Sequence, residues 1–223
     1  MSGLLKKEAT PPPEGAQEQS YDSVRDSIRT GDVLLFRGTS FLSKAIHRFT
    51  GSPYSHAGFA IWWDTRLLCF QSAGRGVEVL PLSSAVDTYD GRVDLYRLRD
   101  DALAKVDTEK LITLAIEMLG RKYFTFGLLT VAWRILTRSL RGRKDVKTAP
   151  SEAFCSQYLS YCYREAGLDL VPELDDASTS PGDLEKSEYL TLQAVLRDDA
   201  ATQARRDATQ QALPGKAKRR KPV

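Results

Sequence analysis

Ser55-His56-Ala57-Gly58-Phe59-Ala60-Ile61-Trp62-Trp63-Asp64-Thr65-Arg66-Leu67-Leu68-Cys69-Phe70-Gln71-Ser72-Ala73 is the stretch on which the fold turns. Two apolar and aromatic runs flank Asp64-Thr65, so the segment reads as a β-hairpin with a tight turn. A two-residue turn pairs Trp63 with Arg66 and sets Gln71 opposite Gly58. Side chains alternate between faces with a period of two. His56, Gly58 and Gln71 therefore share a face. His56 and Gln71 become diagonal neighbours, with Cβ atoms about 7 Å apart. A glutamine can span that distance, and Gly58 leaves the gap empty. The amide oxygen can then accept a proton from the imidazole and fix its tautomer.

Working outward, Asp32-Val33-Leu34-Leu35-Phe36 is a compact apolar run and reads as a buried strand. A short helix is expected over Ser20 to Ile28, and Phe41 to Phe49 has helical spacing. After the hairpin, Gly74-Arg75-Gly76 turns the chain into a strand over Val77 to Leu82, and another spans Val93 to Leu98. A helix from Asp107 to Leu119 is bounded by Asp107 and Gly120. The last core helix runs from about Ser151 to Ala166, before Gly167. Ser180-Pro181-Gly182-Asp183 opens a final structured segment. This order predicts an α+β fold, an antiparallel sheet packed by helices. Residues 1–20, rich in Pro, Gly, Glu and Gln, read as a disordered tail, 21–195 as one domain, and 196–223 as a flexible basic tail.

The 223 residues are 42% hydrophobic and 27% charged, ordinary for a globular chain. Net charge is +3, from 32 basic and 29 acidic residues, which does not call for a specific nucleic-acid partner. Lys216, Lys218, Arg219, Arg220 and Lys221 crowd the C-terminus and read as a solvated run. Three cysteines, an odd and small number, argue against a disulfide framework and fit a reducing compartment. No Cys/His spacing suits a metal, so neither metal nor cofactor is expected. No segment resembles a signal peptide or a membrane span. The expectation is a cytoplasmic protein as synthesised, with export by a dedicated route as the alternative.

Thiol chemistry needs a thiolate, a base to make it and a group to hold that base. There are two histidines. His47, in Ala45-Ile46-His47-Arg48-Phe49, reads as an exposed helix residue. His56 stands at the mouth of a strand, either as a polar strand end or as a base. Cys69, mid-strand, and Cys162, deep in the last helix, read as packing. Cys155 lies in the first turn of that helix, where unpaired N–H groups and partial positive charge stabilise a thiolate and can hold an oxyanion. The bland alternative for Cys155 is a buried structural thiol.

Six segments in order carry a resemblance. They are Thr30-Gly31-Asp32-Val33-Leu34-Leu35-Phe36-Arg37, Tyr54-Ser55-His56-Ala57-Gly58, Phe70-Gln71-Ser72, Leu119-Gly120-Arg121-Lys122-Tyr123, Phe154-Cys155-Ser156-Gln157 and Ser180-Pro181-Gly182-Asp183. Together they resemble the YiiX-like branch of the NlpC-type papain-like superfamily, over about residues 25–190. That branch is circularly permuted, with the histidine before the cysteine, as in lecithin:retinol acyltransferase-like proteins. The resemblance implies a permuted papain-like cysteine hydrolase with Cys155 as nucleophile, His56 as base and Gln71 as the third polar residue. The family usually has glutamate at that third place, and Gln71 departs from the pattern. Glu78 is the nearest acidic alternative in the meander. Tyr54 is a candidate oxyanion donor, or else an aromatic lid.

The expected reaction is cleavage of an amide, for example in a cell-wall peptide, through a thioester. One alternative is a lipid acyltransferase or phospholipase using the same pair at a membrane surface. Residues 124–147, an apolar stretch that also holds Arg134, Arg138, Arg141, Arg143, Lys144 and Lys147, fit either an interfacial helix making peripheral membrane contact or a core helix ending in a basic loop. Another alternative is a catalytically weak binding module.

Overall fold

The computed structural model describes residues 18–39, 43, 47, 51–74, 76–121 and 154–197. The architecture is α+β. Strands β1 (Glu18–Ser20), β2 (Val33–Gly38), β3 (His56–Trp63), β4 (Arg66–Ala73), β5 (Gly76–Pro81), β6 (Gly91–Leu98) and β7 (Leu190–Arg197) form one sheet. Its order is β1-β7-β6-β2-β3-β4-β5. Every pairing is antiparallel except the short parallel contact of β1 with β7.

Strand β2 lies at the centre, and all six of its residues are buried. A strand covered on both faces needs an unbroken apolar run, and Val33-Leu34-Leu35-Phe36 is that run. Val33 and Leu35 join a core with Phe59, Phe70, Leu111, Tyr158, Leu159 and Cys162. This first face is covered by α4 (Thr108–Glu117) and α5 (Cys155–Glu165). Leu34 and Phe36 join a second core with Ala60, Cys69, Leu82, Ala85 and Val86. That face is covered by α1 (Tyr21–Val24) and α2 (Leu82–Thr88), while α3 (Asp100–Leu103) follows β6.

The turn before β2 joins the layers. Gly31 has φ of 89°, a conformation that favours glycine. Its N–H donates to the Ala60 carbonyl at 2.8 Å, and its carbonyl accepts the Tyr163 hydroxyl of α5. Asp32 accepts two bonds from Arg97, at 3.0 and 2.7 Å.

Some expectations need correction. Glu18–Ser20 is a strand, not part of a disordered tail, and β7 runs to Arg197, past the expected boundary at 195. Edge pairing works through backbone groups, so the polar Glu18-Gln19-Ser20 carried no compositional sign of it. The helix expected over 20–28 is one α-turn continued by a 3-10 turn, Arg25–Ser27. Helix α2 was not anticipated, because seven Ser-containing residues give a weak periodicity. His47 is half-buried rather than exposed. The remainder of 41–49, residues 122–153 and the C-terminal tail lie outside the described residues.

Arg37 and Asp94 form an ion pair of 2.7 Å with side chains 3% and 0% exposed. Tyr54 donates to the same carboxylate, and the Tyr54 and Tyr96 hydroxyls are 3.0 Å apart. Burial pushes the Asp94 carboxyl up, against the pull of Arg37 and Tyr54. Removing one partner of such a pair leaves the other charge buried without its carboxylate. Asp94→Ala is expected to lose about 3–5 kcal/mol in urea unfolding. A loss under about 1 kcal/mol would mean the pair behaves as a solvated one.

Candidate active site

The β3–β4 register pairs Trp63 with Arg66 and Gly58 with Gln71. Asp64 takes φ of 53° in the turn, which aspartate tolerates. His56, Gly58 and Gln71 therefore stand on one face. His56 Nε2 is 2.8 Å from Gln71 Oε1. A Cβ at residue 58 would stand 2.9 Å from the Phe70 carbonyl and 3.3 Å from the Gln71 Cβ, so glycine is what lets the two side chains meet.

Strand β5 adds a third member. Glu78 pairs directly opposite Gln71, and Gln71 Nε2 donates to Glu78 Oε1 at 2.9 Å. A carboxylate only accepts, so the amide NH2 faces Glu78 and its carbonyl faces His56. A carbonyl also only accepts, so His56 Nε2 carries the proton. In the neutral ring the lone pair is then on Nδ1.

Cys155 approaches from the other face. It is the first residue of α5, whose N-cap, Phe154, has no side chain able to bond the helix N–H groups. The β3–β4 pairing begins at Gly58, so Ala57 lies beyond the ladder, and its N–H donates to the Cys155 sulfur, as does that of Ser156. The thiol thus sits at the end of the sheet, within hydrogen-bonding reach of His56.

Burial pushes the Cys155 thiol up, but the charge of His56, their hydrogen bond and the two backbone donors outweigh it. The thiol is held below its ordinary range. Burial pushes His56 down, but the Cys155 thiolate, its hydrogen bond, the Gln71 carbonyl and the Glu78 charge outweigh that too. The imidazole is held above its ordinary range. These shifts favour a thiolate–imidazolium pair. Burial alone dominates at Cys69 and Cys162 and pushes both thiols up.

Tyr54, the candidate oxyanion donor or aromatic lid, is fully buried, and its hydroxyl donates a hydrogen bond to Asp94. Tyr89 was missed. Its ring stacks on His56 with centroids 6.5 Å apart, and Phe36 lies 4.9 Å from both rings. Tyr89 Oη is 3.4 Å from Ser55 Oγ. Burial pushes the Tyr89 hydroxyl up, and the Cys155 charge adds to this. Nothing in Tyr89-Asp90-Gly91, a turn sequence, announces that contact.

No family model matches the chain, and no curated protein does. A solved structure, that of the metalloprotein yiiX from Escherichia coli O157:H7, superposes with a TM-score of 0.56 at 20% identity. It covers 75% of this chain and 97% of that one. The fold is yiiX-like. The word metalloprotein belongs to that neighbour. Among the described residues here, no three His, Cys, Asp or Glu side chains gather as a metal would need. Cys155 and His56 are two donors, and the next side chain is an amide already bonded on both ends. That donor set does not fit a metal centre. Among the described residues no helix is long and apolar enough to cross a membrane.

Gly58→Ala tests the geometry. The added methyl is expected to part β3 from β4, cost about 1–3 kcal/mol in urea unfolding, and slow Cys155 alkylation. A variant with wild-type unfolding and wild-type thiol reactivity would show that the site tolerates a side chain there.

Proposed function

We propose that this chain is a cysteine-dependent hydrolase of the circularly permuted papain-like (NlpC-type) class, cleaving an amide through a thioester. The reading is carried by Cys155 at the uncapped start of α5 beside a His56 whose Nε2 is held 2.8 Å from Gln71 Oε1, an arrangement that holds the thiol down and the imidazole up. Chain order agrees, because the histidine strand precedes the cysteine helix.

In the reaction, His56 Nδ1 takes the proton from the Cys155 thiol, and the sulfur attacks the carbonyl carbon. The C–S bond forms as the carbonyl π pair moves to oxygen. Helix N–H groups at the start of α5, left without a side-chain cap, are the donors for that oxyanion. Collapse breaks the C–N bond, and His56 returns its proton to the departing amine. Water, deprotonated by His56, then attacks the thioester and releases the acid. Gln71 holds the ring and its tautomer throughout.

The membrane alternative leaned on residues 124–147, which lie outside the described residues. A catalytically weak binding module would leave Cys155 with the reactivity of an ordinary thiol.

The test is alkylation by iodoacetamide, read at the Cys155 peptide by mass spectrometry. A thiol with a lowered pKa stays ionised as pH falls. Its rate should therefore hold below about pH 8.5, where a free thiol slows roughly tenfold per pH unit. His56→Ala is expected to return Cys155 to free-thiol behaviour. Cys155→Ala is expected to abolish any acyl-enzyme formed with cell-wall or lipid extracts. The mass of the wild-type adduct identifies peptide or lipid as the acyl donor. Alkylation of wild-type Cys155 no faster than a model thiol would falsify the proposal.

A further inference from the structure

We infer that Glu78 is a positioning residue for the Cys155–His56 pair, acting through Gln71 to lock the imidazole tautomer and to lend it a negative charge. The inference rests on the reading of that pair as catalytic.

Gln71 by itself would do half of this work. Its amide has nearly the same shape when turned over, and in that orientation it presents NH2 to His56 Nε2. The ring would then keep its proton on Nδ1, facing the sulfur, and could not accept the thiol proton. Glu78 removes the ambiguity. It stands directly opposite Gln71 in the β4–β5 register and accepts from Nε2 at 2.9 Å. An acceptor-only group there leaves a single orientation of the amide. The same hydrogen-bond chain polarises toward an imidazolium, so a carboxylate one strand away supports a positive charge that an amide cannot support alone.

The neighbouring titratable groups do not compete for the role. Cys155 faces His56 from α5. Tyr89 faces it from the segment before β6, and burial holds that hydroxyl in its neutral form. Cys69, on β4 and near Glu78, is likewise held neutral by burial. Glu78 acts on His56 from β5, an edge strand, and is half-buried. Its effect is accordingly smaller than that of a carboxylate in direct contact with the ring.

The experiment is the pH profile of iodoacetamide alkylation at Cys155 in the full chain, with thermal melts confirming the fold. Glu78→Gln is isosteric and is expected to move the thiolate limb up by about 0.5–1 pH unit. On the falling limb, below the wild-type midpoint, the rate then drops about 3–10-fold at a given pH. Q71E/E78Q moves the carboxylate into direct contact with His56 and is expected to restore the limb. If Glu78→Gln leaves the limb in place while His56→Ala still slows alkylation, Glu78 has no such role and the catalytic pair stands. A shift that Q71E/E78Q does not reverse also overturns the inference, because the loss is then one of packing. A wild-type Cys155 without enhanced reactivity defeats the underlying reading instead.

Discussion

The register of the β3–β4 hairpin is the constraint on which the site depends. Strand side chains alternate, so a slip of one residue would send His56 and Gln71 to opposite faces. The turn at Asp64 and Thr65 sets that register, and the buried pairs Phe59–Phe70 and Ala60–Cys69 hold it. Every later contact inherits it. The β4–β5 pairing brings Glu78 opposite Gln71, and the end of the β3–β4 ladder leaves the Ala57 N–H for the Cys155 sulfur.

The site joins two layers that share no side chains in their cores. His56, Gln71 and Glu78 lie on the face covered by α1 and α2. Helix α5 packs on the other face, through Tyr158 and Leu159 against Phe59. The two meet at the end of the sheet, where α5 begins. A helix start offers N–H groups with no partner inside the helix, and Phe154 at the N-cap supplies no side chain to bond them. A serine or aspartate there would cap the helix better and compete for the same donors.

Two polar clusters flank the sheet end and differ in kind. Arg37, Asp94, Tyr54 and Tyr96 form a cluster around an ion pair whose side chains are 3% and 0% exposed. His56, Gln71 and Glu78 form a chain that runs from a buried thiol to a half-exposed edge strand. The first suits rigidity, because its opposite charges are paired inside the core. The second suits proton handling, because each link fixes the donor and acceptor roles of the next.

The local pattern was enough to determine the buried strand at Val33–Phe36, the hairpin with its pairing, and the cysteine at the start of a core helix. Each follows from period, turn chemistry or capping, which act within a few residues. The same pattern placed His56 beside Gln71, because one turn connects them. It did not show the partner of Tyr54, whose hydroxyl goes to Asp94, forty residues on. It left open whether Glu78 shares the face of Gln71, since that depends on how β4 turns into β5. It missed Tyr89 and the β1–β7 edge, where stacking and backbone pairing join distant segments without any local sign. Only the tertiary structure decided these, because partners far apart in the chain are selected by the packing of the whole sheet.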